Sequence, residues 1–313
     1  MNPDGAMILN SIRKMADHRV FEKVKNSLVY QYRVRMPREQ YASELTKWYH
    51  RRTGKALDLA NPQTLCEKIQ WCKLYDSTPA KTRLADKYLV REWVAEQIGA
   101  EYLTPLFGTW ESFEAIDFDA LPDRFVLKAN HGSHWNMVVN DKTKLDRAMA
   151  KQKFERWLDT NYAFFMGFEL QYKNIPPRII AEQNLNTGDV LHEYKILCFD
   201  GEPRFLWDDA PRFRNGCRNV YDANWNVMPF TVNYPSSPDL DPKPRNLATL
   251  ISIARKLSRG FCHVRVDLYE TEGKIYFGEM TFTPGSGLWK IDAPEWDLEL
   301  GNLVNLPDRS PVP

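Results

Sequence analysis

Apolar and polar positions alternate along Val264 to Tyr269 and again along Ile275 to Thr281, with a polar turn containing Gly273 between them. That pattern predicts a β-hairpin. Side chains repeat every two residues on a strand, so Arg265 and Asp267 share one face of the first strand, and Glu279, Thr281 and Thr283 share one face of the second. Upstream, helical spacing of apolar residues predicts helices around Leu9 to Met15, over Tyr41 to Arg52, Leu65 to Tyr75, Arg83 to Ile98, Leu145 to Leu158 and Leu247 to Leu257. Strands are predicted at Tyr102 to Gly108, from Phe125 to Val139 as strand, turn and strand, from Arg178 onward, at Glu193 to Phe199, and at Arg204 to Asp208. Phe113 to Leu121 reads as a linker with a brief helix, and Tyr162 to Tyr172 has no clear period. Arg212 to Pro244 is polar and aromatic with little periodicity, which suggests an acceptor-binding or mobile surface.

The hairpin brings two carboxylates, a hydroxyl and an arginine together. Mg²⁺ favours hard oxygen ligands and leaves part of its shell for phosphate and water, so this set suits Mg²⁺ carrying nucleotide phosphates. The plain alternative is an edge hairpin whose polar face meets solvent. The glycine-rich turn Pro284 to Gly287, directly after the second strand, favours the ligand reading because loops at strand ends are where open sheets place ligands. Lys128 lies in an otherwise apolar strand and is expected to reach a cleft, since an unpaired lysine is costly in a core. The turn after it, Gly132 and Ser133, offers backbone N–H groups to phosphate. Lys87 and Arg91, four apart on a helix, present two cations to one side.

Among 313 residues, 42 basic and 41 acidic side chains leave a formal net charge of +1, which supplies no whole-chain attraction to nucleic acid or anionic membrane. Arg33, Arg35 and Arg38, interleaved with Tyr30 and Tyr32, form a mild cationic patch that reads as a solvated face. The cysteines Cys66, Cys72, Cys198, Cys217 and Cys262 are scattered and odd in number, so neither a disulfide framework nor a zinc site is expected, and a reducing compartment follows. No apolar run approaches a membrane span and the start lacks a signal core, so a cytoplasmic location is expected. The aromatic fraction of 13% divides between core and stacking platforms in a way composition does not settle.

Taken in order, Glu67 to Trp71, Asp86 to Arg91, Phe125 to Ser133, Glu193 to Lys195, Arg265 to Asp267 and Gly278 to Thr281 resemble the ATP-grasp superfamily, and within it the TupA-like branch associated with teichuronopeptide and surface-polysaccharide synthesis. The resemblance covers roughly residues 60 to 290. It implies an α+β fold with mixed or antiparallel sheets and a nucleotide cleft between two subdomains. It divides the chain into an N-terminal helical extension over 1–60, a pre-ATP-grasp region over 61–121, a lid subdomain over 122–180 and a C-terminal subdomain over 181–313.

The resemblance also implies roles. Lys87 and Lys128 would hold ATP phosphates, and the loop His131 to Asn136, with His131, Gly132 and Ser133, would close over them. Glu182, Gln183, Asn184 and Leu185 would meet adenine, and Glu193 the ribose. Arg265 would act with Lys128 in catalysis, while Asp267 and Glu279 would hold Mg²⁺. Where related ligases carry an asparagine as a further metal ligand, this chain has Thr281, whose hydroxyl is the weaker donor. The implied reaction joins an amine donor to an acidic saccharide or glycan precursor through an acyl phosphate, beside a membrane-proximal polysaccharide assembly. Arg91, Arg212 and Arg214 would meet sugar carboxylates, and Trp207 or Trp225 would stack on a ring. A sugar kinase and a non-catalytic nucleotide-binding protein are the alternatives. His131 or His134 could move the amine's proton, or simply order the phosphate loop.

Overall fold

A computed structural model describes residues 27–186, 188, 190–209 and 216–309. The helix expected around Leu9 to Met15, together with Arg212 and Arg214, lies outside the described residues. The chain divides into two compact units, Met1–Glu44 and Leu45–Pro313. In the first, residues 27–34 are helical, a single 3₁₀ turn spans Arg38–Gln40, and Arg33 pairs with Glu44 at 3.5 Å.

The second unit has the expected α+β character: two antiparallel sheets with helices against them. Helix α1 (Tyr41–Thr53) runs across the division, and the second unit's further helices are α2 (Leu65–Tyr75), α3 (Pro79–Ala85), α4 (Val90–Ile98), α5 (Arg147–Leu158), α6 (Leu247–Ser258) and α7 (Pro294–Asn302). Its strands are β1 (Leu106–Trp110), β2 (Phe125–Ala129), β3 (Asn136–Val139), β4 (Ile179–Gln183), β5 (His192–Phe199), β6 (Glu202–Asp208), β7 (Tyr221–Asp222), β8 (His263–Thr271) and β9 (Lys274–Thr281). The first sheet runs β1-β4-β2-β3 and the second β7-β6-β5-β8-β9.

Local chemistry explains most boundaries. Thr64 caps α2 through a reciprocal capping box with Glu67, which satisfies two of the backbone donors left open at a helix start. The β8–β9 turn places Glu272 and Gly273 at positive φ (52° and 73°), the conformation a two-residue hairpin turn requires. The single helix expected over Arg83 to Ile98 is instead two, α3 and α4. The break falls at Asp86, whose backbone turns extended (φ −74°, ψ 114°) and whose carboxylate accepts hydrogen bonds from the N–H groups of Tyr88 and Leu89. A short acidic side chain offering the backbone this alternative is what ends α3.

The second sheet is buried on both faces. Val264, Val266 and Leu268 of β8, with Tyr194, Ile196 and Cys198 of β5, pack beneath α6. Leu197, Phe199, Phe205 and Trp207 pack on the other side with Leu65, Cys66 and Ile69 of α2 and Leu300 of α7. The stretch Arg212 to Pro244, expected to be surface, contributes to both layers where it is described: Tyr221 to the first, Val220, Phe230 and Val232 to the second. Its aromatic residues lack periodicity because they fill gaps from an irregular backbone. Phe113 to Leu121 forms bends and turns rather than a helix, with Phe113, Ile116, Phe118 and Leu121 turned inward.

Candidate functional site

The row of residues across β5, β8 and β9 fixes the centre of the site. Lys195 is opposite Asp267, and Asp267 is opposite Glu279; in the adjoining row Leu197, Arg265 and Thr281 stand opposite one another. Strand pairing alone therefore brings Lys195, Arg265, Asp267, Glu279 and Thr281 onto one face. Arg265 forks onto both Asp267 oxygens at 2.6 Å each and reaches Glu279 Oε1 and Thr281 Oγ1 at 3.1 Å. The Thr281 hydroxyl donates to Glu279 Oε1 at 2.8 Å. Lys195 Nζ lies 3.1 Å from Asp267 Oδ2 and 2.7 Å from Glu193 Oε1. Asp209 adds a carboxylate 3.8 Å from Lys195, and is itself gripped by Arg218 at 2.6 Å.

A β-bulge aims Glu279. Asp267 pairs with Glu279 but Leu268 pairs with Phe277, so Gly278 is the extra residue. With unbroken alternation Phe277 and Glu279 would share a face. The bulge shifts the phase, leaving Ile275 and Phe277 in the layer beneath α6 while Glu279 turns to the charged side. Glycine suits the position, because a Cβ there would come within 2.9 Å of the Asp267 backbone oxygen.

Further cations come from β2 and from the segment around α4. Alternation along β2 buries Phe125, Leu127 and Ala129 and turns Lys128 to the less buried face, where its ammonium meets Glu182 Oε2 at 2.6 Å. The other Glu182 oxygen accepts from Arg91 at 2.8 Å, and Arg91 also reaches the Thr104 carbonyl at 2.7 Å. Lys87, in the break between α3 and α4, donates its ammonium to the Gly132 carbonyl and its backbone N–H to Asn130. Break and loop are thus held together.

Charge joins the two sheets. Burial pushes the Glu279 carboxyl up, but Lys87, Arg265 and Lys195 outweigh it and hold it at about 2. Lys87 is in turn depressed by burial and by Lys128, against the pull of Glu279. Burial raises the Asp267 carboxyl despite Arg265 and Lys195.

The remaining candidates are distributed as follows. His131 is buried, its two ring nitrogens at 3.1 Å from Asn130 Oδ1 and 3.0 Å from the Trp157 carbonyl. Burial lowers its pKa to about 4. His134 has a positive φ of 60° in the same loop, and Ser133 is a hydrogen-bond partner of Tyr162. Gln183 donates its backbone N–H to Pro105, Asn184 reaches Asn140 Oδ1 at 3.0 Å, and Leu185 is buried. Trp207 stands in the core rather than on a surface, 1% exposed beneath the Arg218 guanidinium. Trp225 is stacked on Tyr221 at 4.2 Å. The sequence motif includes Lys195 without giving it a role, and it does not single out Asp209 or Arg218. Lys195 at two residues from Glu193 was a visible signal, but its partners depend on which strands become neighbours.

Two carboxylates and a hydroxyl on paired strands form a hard-oxygen set, and this donor chemistry fits Mg²⁺, which Asp267 would hold alongside Arg265 and Lys195. The surrounding lysines and arginines can neutralise a polyphosphate. Among the described residues, no helix is long and apolar enough to cross a membrane.

The chain's solved likenesses are distant. D-alanine–D-alanine ligase from Bacillus anthracis complexed with ATP is 15% identical with a TM-score of 0.39, covering 65% of this chain and 55% of that one. L-amino acid ligase from Bacillus licheniformis is 18% identical with a TM-score of 0.42, covering 67% and 46%. The ATP-grasp ligase PsnB complexed with minimal precursor, Mg and ADP is 11% identical with a TM-score of 0.36, covering 67% and 53%. The chain spans about half the length of these proteins. A comparison with curated proteins finds no match. A family model described as TupA-like ATPgrasp matches residues 67–305. That span holds both sheets and every charged residue of the constellation, and it places the protein in the TupA-like branch of the ATP-grasp family.

Proposed function

We propose that the protein is an ATP-dependent carboxylate–amine ligase that joins an amino acid or amine to an acidic sugar of a surface polysaccharide or its precursor, on the cytoplasmic side of the envelope. The observation that carries this reading is the gathering of Arg265, Asp267, Glu279 and Thr281 on one face of β8 and β9, with Arg265 bonded to both carboxylates and Thr281 to Glu279. Lys87 and Lys128 bind the phosphates of ATP, and Arg265 neutralises charge that grows on the transferring phosphoryl group. Mg²⁺, held by Asp267, Glu279 and Thr281, would supply charge neutralisation and alignment of the phosphates.

The acceptor's carboxylate oxygen attacks the γ-phosphorus, the bond to the bridging oxygen breaks and ADP leaves. The amine nitrogen then attacks the acyl carbon, the bond to phosphate breaks, and the amine's proton departs. No covalent protein nucleophile is required. The loop His131 to Asn136 shields the acyl phosphate from water. His131 orders that loop and is a poor proton carrier, since burial disfavours its charged form and the ring is enclosed between Asn130 Oδ1 and the Trp157 carbonyl.

Hydroxylamine tests the reading. Incubated with Mg-ATP and uronate or peptide-like acceptors, the protein is expected to yield an acyl hydroxamate, ADP and phosphate, and reducing the acceptor's carboxylate to an alcohol is expected to abolish ATP consumption. A stable phosphate monoester on the reduced sugar, with no hydroxamate from the acid, would establish a kinase instead.

A further inference from the structure

Cys72 and Cys262 are far apart in sequence, but folding brings their sulfurs and an Asp76 carboxylate oxygen within 4.8 Å of one another. Cys72 stands on α2 and is buried, whereas Cys262, in the turn entering β8, is part-exposed. Cys262 Sγ is 3.5 Å from Asp76 Oδ2, and the same oxygen takes the ammonium of buried Lys81. We propose that Cys72 and Cys262 are a reversible thiol–disulfide pair, with Cys262 the sulfur attacked first by a peroxide and Cys72 the sulfur that resolves it.

Three features support this order of events. Cys262 has the access to solvent that Cys72 lacks. The Cys72 thiol beside it draws the Cys262 thiol below its ordinary range, with Lys81 adding to the effect against burial and the Asp76 carboxylate. The same pairing, together with burial, raises Cys72, so it keeps its proton until needed. A low-pKa, accessible thiol beside a resolving partner is the arrangement of peroxide-sensitive cysteines. The other buried thiols differ: burial raises Cys66, and pushes Cys198 up to about 12.

In the reaction, the Cys262 thiolate attacks a peroxide oxygen, the O–O bond breaks, and a sulfenic acid forms as hydroxide leaves and becomes water. The Cys72 sulfur then attacks the sulfenic sulfur, the S–O bond breaks, and a second water leaves with the Cys72 proton. Two electrons pass from the sulfurs to the peroxide. The bond would tie α2, which holds the Pro284–Gly287 turn through Gln70 and Lys73, to the strand bearing Arg265 and Asp267. Two thiols and a carboxylate also suit a soft divalent metal, but the Lys81 ammonium already occupies the charge-compensating place at Asp76. The pair's chemistry is independent of the nucleotide reading.

The experiment treats the full chain with hydrogen peroxide and maps it without reduction. The expected result is loss of two hydrogens in the intact mass, a cross-linked peptide joining Cys72 to Cys262, and reversal by dithiothreitol. Cys72→Ser is expected to stop at a sulfenic acid on Cys262 that dimedone traps, and Cys262→Ser to leave Cys72 unoxidised. Should Cys72→Ser fail to fold, the cross-link in wild type and its loss in Cys262→Ser decide the matter. Oxidation confined to Cys217, direct passage of Cys262 to sulfinic acid without a cross-link, or a stoichiometric metal on these residues in the purified protein would overturn the proposal.

Discussion

Lys128 meets Glu182 at 2.6 Å while Arg91 takes the other Glu182 oxygen, so the lysine is held in place before any phosphate arrives. Lys128→Ala is expected to weaken ATP binding by on the order of 1.5–3 kcal/mol, the worth of one charge-assisted contact, because Arg91 keeps Glu182 from being left unpaired. Calorimetry on the folded variant checks this, and unchanged affinity would move the nucleotide elsewhere. Asp267→Asn and Glu279→Gln are expected to lower turnover far more than ADP affinity, since the two carboxylates align metal-bound phosphates. Equal turnover at saturating Mg²⁺ would remove them from the metal site. Both carboxylates were legible from two-residue alternation. The hairpin also placed Arg265 beside them, but the presence of Lys195 next to Asp267 was not legible, because that contact depends on β5 lying next to β8.

The bulge at Gly278 is the element on which the site's geometry turns. Gly278→Ala would press a methyl group against the Asp267 backbone oxygen and the Tyr269 ring. The expected cost is about 1–3 kcal/mol of stability, as for other overpacked positions, with a fall in turnover as Glu279 shifts. Urea denaturation and steady-state kinetics measure the two effects; a variant as stable and as active as wild type would mean that the bulge does not set the carboxylate. A sequence reading of β9 as plain alternation reaches the right face for Glu279 and Thr281, yet it does not reveal that Phe277 lies on the opposite face or that Thr283, beyond the strand's end, bonds instead to Glu169 and Gln171. The break at Asp86 has the same origin: one side chain's bonds to Tyr88 and Leu89 override helical spacing that otherwise runs on to Ile98.

For the molecule as a whole, buried histidines link stability to pH. Burial lowers His131 from 6.5 to about 4 and His263 from 6.5 to about 3. A folded pKa below the unfolded one means that the unfolded chain takes up protons first, so stability present above the unfolded value is lost as pH falls toward the folded one. At about 1.4 kcal/mol per pH decade, the gap for His131 amounts to roughly 3 kcal/mol, lost progressively below about pH 6.5. Glu279, depressed to about 2 from 4.5, adds a loss in the same direction at lower pH. Unfolding in urea from about pH 7 to about pH 5 is expected to show declining stability, with a shallower decline in His131→Asn. Parallel curves would show that His131 is not part of the effect.

The sequence by itself determined the elements whose cause is local: α2 with its capping box, the hairpin turn at Gly273, and the alternation that puts Lys128 on one face of β2, Asp267 with Arg265 on one face of β8, and Glu279 with Thr281 on one face of β9. It also carried the family, because the order and spacing of short charged motifs survive in the chain itself. Only the tertiary structure decided which charges meet. Glu182 holds Lys128 and Arg91, Lys87 closes on the Gly132 loop, and Cys72 comes beside Cys262, all through contacts between segments distant in sequence. Trp207 and the aromatic stretch around Tyr221 went to the core for the same reason. Whether a ring is a platform or a filler depends on what packs over it, and periodicity within one segment contains no record of its neighbours.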